Sequence, residues 1–204
     1  MQARFGVDED LEGITLAGAT DALIARLLLE KHDLPVTPEN VTGLMDAYLS
    51  ALPGRLPRHE GRLLPGIVAL LDRLKAREDC VVALLTGNLV RGAELKLAHF
   101  GVWDYFEFGA FADDHHDRNE LGGFARSRAK EKHGQEFAPA DVVVIGDTPR
   151  DIECGRVIGA RTVAIATGVY SRAELQAYAP DLLFDDLSDT SAVVAALVGE
   201  VLKS

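Results

Sequence analysis

The chain has 204 residues, 48% of them apolar, and a formal net charge of −11 from 32 acidic and 21 basic side chains. That composition excludes a disordered chain, and no apolar run approaches the roughly 20 residues needed to cross a bilayer. The acidic balance excludes an extended nucleic-acid surface, which needs clustered Lys and Arg, so neither nucleic acid nor a membrane is expected as a partner. A small phosphate ester remains compatible with such a chain if a metal ion and one or two local bases do the neutralising. Residues 1–20 carry no signal-peptide pattern, and Cys80 and Cys154 match no metal or redox spacing, so two reduced, packed thiols in a cytoplasmic protein are expected.

In chain order, the first sixty residues read as helical. Residues 22–34 carry Leu23, Leu27 and Leu28 at helical spacing. Thr37-Pro38-Glu39 places an N-cap residue before a proline at the first helical position, predicting a helix to about Leu52. The stretch "LPGRLPRHEG" then breaks the pattern with two prolines and two glycines. It separates a helical unit, residues 1–60, from the remainder, residues 61–204.

From Leu64 onward helices and strands alternate. A helix follows Pro65, "CVVALLT" reads as a buried strand, and a helix spans about Val90 to Phe100. A short strand is placed around Phe106 to Ala110, a helix at about Leu121 to His133, and the strand "DVVVIGD" follows. A helix starting at Pro149, the strand "RTVAIAT", a helix opened by the capping box Ser171 to Glu174, the strand "DLLFDD" and a helix over 190–202 complete the chain. Apolar strands alternating with helices indicate an α/β fold with a parallel sheet covered on both faces. Ligands in such sheets collect beyond the carboxyl ends of the strands, here Thr86-Gly87-Asn88, Asp147 and Thr167-Gly168.

Asp147 lies at a strand end and Asp151 one helical turn further, so both carboxylates can face one crevice. Two hard oxygen ligands there suit Mg²⁺, which keeps several waters and takes few protein ligands. The competing reading makes Asp147 a turn residue and Asp151 a charge favoured by the helix dipole. The Thr86 hydroxyl, with the backbone N–H groups of Gly87 and Asn88, can cradle a phosphoryl group; otherwise this is an ordinary turn with Asn88 as helix N-cap.

Taken together, "VVALLTGN", "KLAHFGVWDYFEF" and "VVVIGDTPRDIECGRVIGARTVAIATGVY" resemble the haloacid dehalogenase-like hydrolase superfamily, in its phosphoglycolate-phosphatase-like branch. The resemblance implies a Rossmann-like parallel-sheet core, a small α-helical cap, and Mg²⁺-dependent hydrolysis of small phosphorylated metabolites through an aspartyl-phosphate. It makes Thr86 the phosphate-binding hydroxyl, with Gly87 and Asn88 beside it, and Asp147 and Asp151 the metal-binding acids. The family also places a base at the start of the helix before the metal strand. Arg118 is the best-placed base here, and a guanidinium can clamp phosphate in a bidentate way. Lys130 and Lys132 lie at the far end of that helix and read as solvated charges. The cluster Asp113, Asp114, His115, His116, Asp117 reads as a solvated loop rather than a second metal site.

The resemblance breaks down at the N-terminus. The family's nucleophile belongs to an Asp-x-Asp motif closing an apolar strand ahead of the cap, and no such strand precedes the cap here. Asp8-Glu9-Asp10 imitates the motif, but "MQARFGV" is not a buried-strand run. The expectation is a chain that lacks the first core strand and its nucleophile through a late start. The alternatives are a catalytically inactive protein that binds phosphorylated ligands or a partner, and a 2-haloacid dehalogenase, which would have little use for the paired acids.

Overall fold

The computed structural model describes residues 1–58 and 61–198. The N-terminal part holds α1 (Gln2–Phe5), α2 (Asp21–Lys31) and α3 (Pro38–Arg55). Side chains close the starts of α2 and α3: Thr20 Oγ1 accepts from Leu23 N at 3.0 Å, and Thr37 Oγ1 from Asn40 N at 3.2 Å. Leu29, fully buried, packs with Ala25 and Leu44 between the two helices, and Phe5 of α1 covers them. Helix α3 passes its expected end at Leu52 and takes Pro53 into its last turn. A proline there removes only one ladder bond near an end that frays anyway. The expected boundary after residue 60 falls at residues 59–60, outside the described residues, as do residues 199–202 of the expected final helix.

The remainder alternates α4 (Ile67–Lys75), β1 (Leu84–Leu85), α5 (Val90–His99), β2 (Gly109–Ala110), α6 (Arg118–His133) and β3 (Val143–Gly146). It continues with α7 (Pro149–Val157), β4 (Arg161–Ile165), α8 (Arg172–Ala177), β5 (Leu182–Phe184) and α9 (Thr190–Val198). Every strand pair is parallel, in two groups ordered β1-β2 and β3-β4-β5. Alternation along β4 divides the core. Val163 and Ile165 face Leu70, Val193 and Leu197 of α4 and α9, while Ala164 faces Ile152 of α7 and Leu175 of α8.

Three expectations need correction. "CVVALLT" forms strand only at Leu84–Leu85, and those residues are half-buried. Among the described residues β1 has β2 as its one partner, so the rest of the run has no second ladder to extend along. The strand expected over residues 106–110 likewise shrinks to Gly109–Ala110. Helix α6 begins at Arg118 rather than near Leu121, because Asp117 caps it by accepting from Asn119 N at 3.0 Å. Arg118 is therefore the first helical residue.

The segment 16–20 enters α2 by crossing between the end of β1 and the start of α7. Asp21 N donates to the Gly87 carbonyl at 2.6 Å. Gly18, at φ +69°, lies so close to α7 that a Cβ there would meet Thr148 Oγ1 at 2.5 Å. A Cβ at Gly87 would in turn meet the Ala19 carbonyl oxygen at 2.3 Å. These two contacts hold the N-terminal helices against the strand ends.

Candidate functional site

A crevice of about 300 Å³ opens where β1 and β3 end. Thr86, Gly87 and Asn88 line one wall, Asp147, Thr148 and Asp151 the other, and Arg118 joins them from α6. The tertiary structure thus brings together every residue singled out from the sequence as phosphate-binding or metal-binding. Asp21 and Lys96 also line the crevice, and sequence reasoning missed both. Nothing in the pattern distinguishes Lys96 from other bases on α5. Asp21 carried a faint signal, as the first acid after an N-cap threonine.

Thr86 is held in a defined orientation. Its N–H donates to the Ala110 carbonyl of β2 at 3.1 Å, and its hydroxyl oxygen accepts from Asn88 N at 3.2 Å and Asn88 Nδ2 at 2.8 Å. With both neighbours donating, the hydroxyl proton is left to point at an incoming acceptor. Asn88 is not the N-cap of α5, contrary to the ordinary-turn alternative. Leu89 occupies that position, and two carboxylates bind the helix start instead: Asp21 Oδ2 accepts from Leu89 N at 2.8 Å and Asp113 Oδ2 from Val90 N at 2.6 Å. Burial pushes the Asp21 carboxyl above the ordinary aspartate range, opposed by the Leu89 N–H and the Lys96 charge.

Across the crevice, Asp151 is 5% exposed and heavily engaged. Its Oδ2 accepts from Thr148 N at 3.0 Å and Thr148 Oγ1 at 2.7 Å, closing the capping box of α7. Its Oδ1 accepts from Arg118 Nη2 at 2.5 Å. The Arg118 Nε is buried and has no hydrogen-bond partner. A buried, unpaired guanidinium N–H is costly, so this donor calls for an acceptor. Asp147 is less constrained. Gly168 leaves space for it, since a Cβ there would meet Asp147 Oδ2 at 2.2 Å. Burial pushes the Asp147 carboxyl up, the charge of Asp151 pushes it further, and Arg118 pulls it back.

The acidic loop before α6 is solvated as expected, with Asp113, His116 and Asp117 exposed, and its carboxylates also brace the fold. Asp113 and Asp117 cap α5 and α6, and Asp114 accepts from both terminal nitrogens of Arg128 at 2.5 and 2.6 Å and from Phe111 N at 2.9 Å. The His116 carbonyl accepts from the buried Thr20 hydroxyl at 2.5 Å. Among the described residues no cluster of three or more His, Cys, Asp or Glu could hold a metal ion. Asp8 and Asp10 do not line the crevice; Asp10 pairs with Lys31 at the end of α2 at 3.6 Å. Lys130 and Lys132 reach Glu136 and Glu107 near the C-terminal end of α6. Cys154 is buried and donates to the Arg118 carbonyl at 3.2 Å, while Cys80 is half-buried; both are free thiols. No helix among the described residues is long and apolar enough to cross a membrane.

Residues 121–190 match the HAD-hydrolase-like family model, a span that includes Asp147, Asp151 and Gly168. The chain is 27% identical over 169 residues to a probable phosphatase, IndB, of Dickeya dadantii, covering 81% of this chain and 70% of that one. Over residues 121–190 and in these relatives, what the chain is similar to is the haloacid dehalogenase-like hydrolase superfamily. A phosphoglycolate phosphatase of Synechococcus elongatus is 29% identical over 137 residues, which span 67% of this chain and 61% of that relative. A hydrolase from Pseudomonas syringae shares the fold, with a TM-score of 0.67, 22% identity, and coverage of 89% of this chain and 80% of that one. That shared α/β fold accounts for the parallel ladders and for a crevice built at the strand ends.

Proposed function

We propose that this chain forms the phosphate-binding and metal-binding halves of a Mg²⁺-dependent phosphatase acting on small phosphorylated metabolites, with the N-terminal helices as its cap. The observation that carries this reading is the convergence of the Thr86 hydroxyl and the Arg118 side chain on one crevice that also holds Asp147 and Asp151. Two of the superfamily relatives are named as phosphatases.

The donor set fits Mg²⁺. Asp147 offers a half-buried carboxylate without an ion-pair partner among the described residues, and hard oxygens with few protein ligands are what this ion takes. Asp151 already accepts three hydrogen bonds of the roughly four a carboxylate can take, so it orients more than it ligates. When bound, Mg²⁺ would polarise a phosphoryl oxygen and offset charge. Thr86 donates its hydroxyl proton to a second phosphoryl oxygen, and Arg118, oriented by its pair with Asp151, offers its guanidinium charge to another. The segment 16–20 crosses the strand ends and lines this crevice through Leu16, Gly18 and Ala19.

In this reading the phosphoryl group passes to an aspartate carboxylate before water releases it, which splits one hard displacement into two. The crevice carboxylates among the described residues, Asp21, Asp147 and Asp151, each have another task. That favours a second reading, a phospho-ligand-binding protein without turnover. Hydrolysis of an aryl phosphate with and without Mg²⁺, beside calorimetric titration with inorganic phosphate, separates the two. Turnover lost in Asp147→Asn supports the phosphatase. Phosphate binding without turnover, lost in Thr86→Val, supports the binding protein. Phosphate binding unaffected by Thr86→Val and Arg118→Met overturns both.

A further inference from the structure

Besides Arg118, the crevice contains a second cation, Lys96, which neither the phosphoryl cradle nor the paired acids employ. Its Nζ donates to Asn88 Oδ1 and lies 5.5 Å from the centroid of the Tyr48 ring on α3. Both partners are neutral. Among the described residues no carboxylate forms an ion pair with Lys96, whereas Arg118 is paired with Asp151 at 2.5 Å. Asp21, in the same crevice wall, feels the Lys96 charge without forming an ion pair with it and gives Oδ2 to the Leu89 N–H. Holding a half-buried ammonium on an amide oxygen and an aromatic face leaves its charge available to an anion.

The position of Lys96 relative to the phosphoryl cradle sets the length of that anion's carrier. Asn88 bridges the two, donating from Nδ2 to Thr86 Oγ1 at 2.8 Å and accepting from Lys96 Nζ on Oδ1. One side-chain amide therefore separates the phosphate-binding hydroxyl from the ammonium. Leu16 and Ile24 line the crevice from the N-terminal helical side, offering an apolar contact to a short carbon chain.

We propose that Lys96 is a specificity-determining residue that binds a second anionic group, so that the site selects short phosphomonoesters carrying a carboxylate or a second phosphate on the next few atoms. This rests on the phosphate-site reading above. The Asn88 amide holds the two anion sites at a fixed separation.

The test is calorimetric titration of the whole chain, in Mg²⁺, with non-hydrolysable ligands: propylphosphonate, 3-phosphonopropionate and propane-1,3-diphosphonate. The first carries only the phosphoryl-like group, the second adds a carboxylate, and the third adds a second phosphonate. Binding of at least one doubly anionic ligand about tenfold tighter than propylphosphonate is expected, from one added charge-assisted contact. That ratio should fall towards 1 in Lys96→Met and be largely retained in Lys96→Arg, which keeps the charge. A packing role would instead shift all three ligands equally in both variants. Preference for the carboxylate over the diphosphonate, or the reverse, identifies the second anion, and loss of that preference in Lys96→Met supports the proposal in either case. No preference in the parent chain, or a preference unchanged in Lys96→Met, overturns it while leaving the phosphate site standing. Failure of all three ligands to bind overturns it together with that reading.

Discussion

Arg118, the first residue of α6, donates to Asp151 in the first turn of α7 at 2.5 Å, and the two side chains are only 11% and 7% exposed. The pair joins the starts of two helices that reach the crevice from different parts of the chain. Removing one member strands the other as a buried charge. Arg118→Met is expected to cost about 3–5 kcal/mol in urea unfolding and to abolish phosphate binding. A double-mutant cycle with Asp151→Asn should show coupling above about 1 kcal/mol. Additive losses would mean that the pair is idle.

Asp147 titrates above the ordinary aspartate range because it is half-buried and lies beside Asp151. The native state then holds a proton over a pH interval where the unfolded chain has released it. Stability contributed at this residue is full at low pH and falls as pH rises through the native value. Asp147→Asn should therefore be more stable than the parent at pH 7 in metal-free buffer and should lose that slope. It should also lose any rise in midpoint on adding Mg²⁺. Denaturant midpoints from pH 4 to 7.5, with and without the ion, measure both effects.

Glu9 behaves in the opposite way. Lys31 and His32 hold its carboxyl down to about 2 from the usual 4.5. Its contribution is present above the usual value and disappears as pH falls through about 2. Glu9→Gln should flatten the acid limb of the stability curve within that interval, followed by circular dichroism. Asp8→Asn, remote from the crevice, should leave phosphate binding as it is.

Gly18 has a positive φ and no space for a side chain. Gly18→Ala places a Cβ 2.5 Å from Thr148 Oγ1, so the segment 16–20 must lift from α7. A loss of about 1–3 kcal/mol in thermal or denaturant unfolding is expected. A loss below 0.5 kcal/mol would show that this segment is not anchored there.

Local signals determined much of this protein. Thr20, Thr37, Thr148 and Ser171 sit at helix starts because short oxygen side chains satisfy the orphan N–H groups there, and three of these starts were legible before any coordinates. The apolar runs before Asp147 and Thr167 identified parallel strands, because strands covered on both faces lose their alternation. From those strand ends, with the family resemblance, Thr86, Gly87, Asn88, Asp147 and Asp151 could be placed together, and Arg118 beside them. Strand lengths could not be read, since a strand extends only as far as a neighbouring ladder does. The roles of Asp21 and Lys96 were equally hidden. Asp21 meets Leu89 across 68 residues, and Lys96 meets Tyr48 across a helix–helix contact that periodicity does not encode. The sequence by itself determined which elements form and which turns carry chemistry, because caps, turns and apolar runs act over a few residues. Only the tertiary structure decided which charges are neutralised and which remain available, because that depends on contacts between distant segments.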